Sequence, residues 1–141
     1  MNGRNMRRTM LELMLLCLMG GAVLAGTPSP ARVQFDGFLA AFNSGDRATI
    51  TAFGKDHAPP DFLRPAIVDQ TLEMSRTSGG YDVLEVYEID SLSVKSWVLA
   101  RATKNVVELM IVVDPANPER ITVITLNDAV AQTSPPTTPD R

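Results

Sequence analysis

The sequence predicts an α+β fold, with N-terminal helices packed on a curved, cone-like antiparallel β-meander of about four strands. Three observations carry that prediction. Apolar residues recur at helical spacing between residues 31 and 76, and at a period of two between residues 81 and 127. The segments joining the period-two stretches are too short to hold a crossover helix, so neighbouring strands must run antiparallel.

The helical half comes first. Thr27-Pro28-Ser29-Pro30 reads as a stiff extended leader. A helix over Ala31–Ser44 follows. Phe35, Phe38, Leu39 and Phe42 stand at i, i+3, i+4 and i+7, which makes one apolar stripe. Gly45 suits the left-handed residue that ends a helix, and Asp46 suits the cap of the next one. That second helix, Arg47–Lys55, is short and buries Ile50 and Phe53. His57-Ala58-Pro59-Pro60 breaks the pattern. A third helix starts at Phe62 or Pro65 and runs to Arg76, with Phe62, Leu63, Ile67, Leu72 and Met74 on its apolar side. Ser78-Gly79-Gly80 stops it.

Four strands are expected at Tyr81–Asp90, Ser93–Thr103, Asn105–Asp114 and Arg120–Asn127. In the third, Val107, Leu109, Ile111 and Val113 share one face, and Val106, Glu108, Met110 and Val112 make a mixed one. A mixed second face fits a central strand. The second strand sets Val94, Val98, Ala100 and Ala102 against Lys95, Trp97, Leu99 and Arg101. The first places Tyr81, Val83, Tyr87 and Ile89 together, interrupted by Glu85. The fourth changes phase between Ile121/Val123 and Ile124/Leu126, and a bulge near Val123 reconciles the two halves.

The ends of the chain are of a different character. Residues 1–25 read as a signal peptide: Arg4, Arg7 and Arg8 precede an apolar run, and Ala22-Val23-Leu24-Ala25 offers a cleavage point. An uncleaved anchor is the alternative, though the run is short for a membrane span. Leu16 before Cys17 disfavours a lipoprotein. Residues 26–30 form the leader, 31–128 the domain, and 129–141 a disordered tail rich in proline and threonine. The signal carries three of the 13 basic and one of the 16 acidic residues, so the remainder has 10 against 15, a net charge of −5. That balance disfavours nucleic acid and anionic membranes as partners. The single cysteine lies in the signal, so the domain holds itself together without a disulfide. A periplasmic or secreted location follows.

No catalytic constellation stands out. His57, between Asp56 and Asp61, is the only histidine, and it reads more simply as a solvated residue at a helix end, where positive charge suits the dipole. One histidine with scattered carboxylates gives no metal-ligand spacing, and no cofactor motif is present. Glu85, Glu88 and Glu108 would matter if one pointed into a cavity, where its pKa would rise. Pairing across strands with Lys95 or Arg101 is the plainer expectation. Ser44, Ser91, Ser93 and Ser96 lie in no nucleophile elbow. Trp97, Tyr81, Tyr87 and Leu99 are the candidate ligand or partner surface, with core packing as the alternative.

The run Phe38-Leu39-Ala40-Ala41-Phe42-Asn43-Ser44-Gly45-Asp46, then Phe53, Gly79-Gly80-Tyr81 and Arg120-Ile121-Thr122 with Ile124 and Leu126, resembles a small periplasmic domain of the nuclear-transport-factor-2-like (cystatin-like) group of cone folds. It is similar to the segment found beside serine-hydrolase (β-lactamase-like) or tail-specific peptidase domains. The resemblance covers residues 31–127. It implies a fold and an exported location, and a group whose members include isomerases, dehydratases, small-ligand binders and assembly domains. It carries over no catalytic residue.

The function expected is therefore non-catalytic. The domain binds a small apolar ligand or docks on an envelope protein, in one version as accessory to a serine hydrolase, using the sheet face that bears Trp97 and Leu99. The resemblance also implies homodimerisation through the open sheet face. The alternative is a small isomerase- or dehydratase-like enzyme, with Glu85, Glu88, Glu108, Asp82 or His57 as the acid–base group inside the cone.

Overall fold

A computed structural model describes residues 26–128. The expected signal peptide and tail lie outside them. Three helices pack against a four-stranded antiparallel sheet of order β1-β2-β3-β4, an α+β fold.

Helix α1, Pro30–Ser44, begins one residue earlier than the periodicity predicts. Proline is tolerated there because first-turn N–H groups have no partner within the helix. Ser29 caps it, its hydroxyl accepting the Arg32 N–H at 3.2 Å. Phe35, Phe38 and Phe42 are at most 2 % exposed and form the centre of the core, with Leu39 packed at its margin. Gly45 closes the helix at φ 61°, a conformation that costs glycine little.

Helix α2, Arg47–His57, is capped by Asp46, whose carboxylate accepts both the backbone N–H and the hydroxyl of Thr49. Those bonds hold its carboxyl below the usual 3.8. It runs two residues past the expected Lys55, ending before Ala58-Pro59. A 3₁₀ turn, Pro60–Leu63, presses the Phe62 ring onto Gly54, where an added Cβ would lie 2.6 Å from a ring carbon. Helix α3, Pro65–Ser78, buries Val68, Leu72 and Ser75. Leu63, expected on its apolar side, precedes the helix, lying in the 3₁₀ turn, where its side chain touches Gly54 and stays 38 % exposed.

Strand β1, Tyr81–Asp90, and strand β2, Ser93–Ala100, are joined by a turn in which Asp90 accepts the Leu92 N–H and the Ser93 hydroxyl. Strand β2 stops three residues short of the expected Thr103. There the backbone N–H groups of Arg101 and Ala102 donate to the carbonyls of Gly80 and Ser78, not to a strand partner. Strand β3, Val106–Val113, and strand β4, Ile121–Asp128, complete the sheet. The expected bulge in β4 is present: Ile121 pairs with Val113 and Val123 with Val112, which leaves Thr122 as the extra residue.

The helices cover one face only. The buried residues of that inner face are Val94, Ser96, Val98 and Ala100 of β2, Val107, Leu109, Ile111 and Val113 of β3, Ile121 of β4 and Tyr81 of β1. The Tyr81 ring stacks on Phe42 at 4.8 Å and 4°. Asn43 ties the two together. Its side-chain amide donates to the Tyr81 carbonyl at 2.9 Å, and its oxygen accepts the Tyr81 N–H at 2.7 Å. The serine in the middle of this apolar face has a task. Beside the register shift between Val83 and Glu85, the Ser96 hydroxyl donates to the Glu85 carbonyl at 2.7 Å.

Candidate functional site

That register shift also redistributes the candidate surface. Tyr81 pairs with Ala100 and Val83 with Val98 on the inner face. Past the bulge, Glu85 pairs with Trp97 and Tyr87 with Lys95 on the outer face. The grouping of Tyr81, Val83, Tyr87 and Ile89 on one side is therefore corrected. An extra residue in β1 inverts the alternation that a strict period of two would maintain. Trp97, Tyr87 and Leu99 stand together on the outer face, and Tyr81 stands on the other side of the sheet.

The outer face carries apolar residues on either side of a central ion pair. Trp97 and Leu99 of β2 adjoin Val106, Met110 and Val112 of β3, with Tyr87 and Val123 on the flanking strands. Among the described residues no helix covers them. Tyr87 is 41 % exposed and Val123 38 %, while Trp97, Leu99, Met110 and Val112 are half-buried by their neighbours. One ion pair crosses this surface between Trp97 and Met110, and a second borders it. Lys95 meets Glu108 at 3.0 Å and Arg101 meets Asp82 at 2.8 Å. The Glu85 carboxylate beside Tyr87 pushes its phenol up, so the tyrosine stays neutral. The Thr125 hydroxyl, beside Met110, is buried and has no hydrogen-bond partner.

The inner side holds hollows beneath α3. One, of about 290 Å³, is lined by Glu73, Met74 and Thr77 of α3 and by Tyr81, Asn105 and Asp128 at the end of the sheet. Burial, and then the Asp128 carboxylate, push the Tyr81 phenol up and keep it protonated. A second, of about 240 Å³, lies between Phe38, Phe62, Met74, Ile124 and Leu126. A third, of about 310 Å³, lies between Phe62, Arg64, Ile67 and Thr122–Ile124.

None of the five expected acid–base candidates lines these hollows. Asp82 and Glu108 are held in outer-face ion pairs, and Glu85 is exposed beside Trp97. Glu88 is on the inner side but exposed at the overhanging end of β1. His57 sits at the end of α2, its Nδ1 donating to the Glu119 carbonyl at 3.1 Å and its ring against Phe53. The carboxylates that do line the hollows are Glu73, Asp61 and Asp128. Sequence reasoning named Asp61 only as a neighbour of His57 and missed Glu73 and Asp128. Glu73 lies between the inward Leu72 and Met74 of α3, and Asp128 terminates a strand, so neither position carries a periodic signal. Among the described residues no group of three or more histidine, cysteine or acidic side chains is placed to hold a metal ion, and no helix is long and apolar enough to cross a membrane. Comparison with protein-family models, with curated proteins and with solved structures yields no match.

Proposed function

We propose that this chain is an exported, non-catalytic interaction domain that docks a partner protein on the outer face of its sheet. The observation that carries the reading is the group of apolar residues Trp97, Leu99, Met110 and Val112, crossed by the Lys95–Glu108 ion pair and flanked by Tyr87 and Val123, with no helix over it among the described residues. Uncovered apolar surface marks interaction sites, and half-buried aromatics with a polar tip are favoured anchors in them. The ion pair of Arg101 with Asp82 lies at the margin of that surface, and that of Lys95 with Glu108 crosses it and offers polar contacts within it. The signal-like residues 1–25 supply the route out of the cytoplasm, and the resemblance to the nuclear-transport-factor-2-like group, which includes assembly domains, points the same way. A separately encoded serine hydrolase of the envelope is the partner that resemblance favours.

A photo-crosslinking side chain placed at position 97, in cells, tests the reading, with position 33 on the exposed side of α1 as control. The expected result is a discrete heavier adduct at 97 and none at 33. Equal labelling at both positions, or none at 97, overturns it.

One observation favours a second reading, a small-molecule site. The 290 Å³ hollow sets the protonated Tyr81 phenol beside Asp128 above a floor of Met74 and Val107. It suits an apolar molecule bearing a hydrogen-bond acceptor, and it is where an acid–base pair of the isomerase- or dehydratase-like alternative would sit. Native mass spectrometry of protein taken from its own envelope should then show an adduct that Tyr81→Phe loses. Identical clean spectra for both proteins remove this reading.

A further inference from the structure

The two edges of the sheet are built differently. Strand β1 carries Asp82, Glu85, Glu88 and Asp90 and two register shifts. Charge and bulges are what keep a foreign strand off an exposed edge. Strand β4, Ile-Thr-Val-Ile-Thr-Leu-Asn-Asp, is largely β-branched, has no proline and no basic residue, and bears no charge before Asp128. Its one irregularity, Thr122, lies near its start.

The direction of its backbone groups follows from the ladder. The Val113 N–H donates to the Leu92 carbonyl, and the Asn105 carbonyl accepts from the Ala100 N–H. Odd-numbered residues of β3 therefore turn their backbone groups to β2, and even-numbered ones to β4. Glu108 and Met110 pair with Asn127 and Thr125, so the N–H and C=O of Ile124 and Leu126 point off the edge. Among the described residues no backbone group outside the sheet bonds to them.

Beside that edge lie the three hollows. The first meets β4 at Thr122–Ile124, the next at Ile124 and Leu126, and the last at Asp128. Neighbouring hollows share walls: Phe62 and Ile67 stand between two of them, and Met74 between the next two. Recesses spaced about two residues apart along a free strand edge match the side-chain period of an added strand.

We propose that the β4 edge accepts an extended peptide of a partner protein as a fifth, antiparallel strand. Apolar side chains at alternate positions enter the recesses walled by Phe62, Ile67 and Met74. A basic residue at the peptide's N-terminal end meets Asp128 and Glu73, which line the last hollow with no basic residue beside them. At the other end Asp61 and Arg64 offset each other, so the attraction is one-sided and sets the direction. A second copy fits less well, because its own Ile124 and Leu126 already line its own recess and are not free to enter this one. The proposal uses a different surface from the outer-face reading and stands or falls separately.

The test is selection of phage-displayed random heptapeptides on the full chain as recovered from cells, followed by affinity measurement on the winners. Enriched peptides should alternate apolar residues and carry lysine or arginine toward the N-terminus. Leu126→Pro removes one outward N–H without breaking a ladder bond and should weaken binding at least about ten-fold. Ile67→Lys, which changes a recess wall and leaves the edge backbone intact, should also weaken it by about ten-fold. Absence of enrichment, enrichment without the alternating pattern, or unchanged affinity in both variants overturns the proposal. So does self-association of the wild type that Leu126→Pro abolishes, since that outcome assigns the edge to a second copy.

Discussion

The two faces of this sheet use similar residue types to opposite ends. The inner face is valine, leucine, isoleucine and alanine pressed against three phenylalanines, nearly all of it out of water. The outer face has tryptophan, leucine, methionine and valine at matching register, yet these are only half-buried and meet no helix among the described residues. The difference teaches that apolar content alone does not say which side of a strand is core. What decides it is where the covering helices can reach, and here Asn43 and the α1 stripe bring them to one side only.

The largest effect should come from the covered side. Phe42 is fully buried and stacked on Tyr81, and Phe42→Ala leaves a cavity the surrounding helices cannot close. The expected loss is about 3–5 kcal/mol in chemical denaturation. Next comes the clamp that holds helix to sheet. Asn43→Ala strands the Tyr81 N–H and C=O in a partly buried position and should cost about 2 kcal/mol. Near-neutral behaviour would mean that the covering helices are positioned by packing alone.

A smaller effect is expected from the helix caps, and it depends on pH. Asp46 has its carboxyl lowered by the Thr49 hydroxyl and N–H, so its contribution is fully present above the ordinary 3.8 and is lost as pH falls through the lower folded value. The Tm of the wild type should drop on acidification below pH 3.8, and Asp46→Asn should flatten that part of the curve. A parallel profile in the variant would show that the cap is energetically silent. The smallest effect belongs to the outer face. Thr125→Val removes a buried hydroxyl that has no partner, so stability should be unchanged or slightly raised. A clear loss would reveal a hydrogen bond made in solution.

Much of the architecture could be read from the residues. The α1 stripe, Gly45, Asp46 and the Gly79-Gly80 boundary each have a local physical cause, and local causes are visible in sequence. The phase change in β4 announced its bulge, because the apolar residues themselves switched sides. The bulge in β1 gave no such sign. Glu85 and Tyr87 tolerate either face, so nothing in the pattern marked the inversion that separates Tyr87 from Tyr81. Ser96 is the corresponding clue. The serine in the row of Val94 and Val98 makes a hydrogen bond to the Glu85 carbonyl, beside the register shift. The hollows were illegible for a different cause, since they depend on how far α3 stands from β4. No spacing within either segment encodes that distance.

The account rests on one side of the sheet holding the fold while the other is free to bind. Equilibrium denaturation of a Trp97→Ser, Leu99→Ser double variant, run beside Phe42→Ala, measures that directly. The prediction is a smaller loss for the outer pair, about 2 kcal/mol or less, against about 3–5 kcal/mol for the single inner residue. Losses of equal size would contradict it, because the outer face would then be core to the fold and not a surface in reserve.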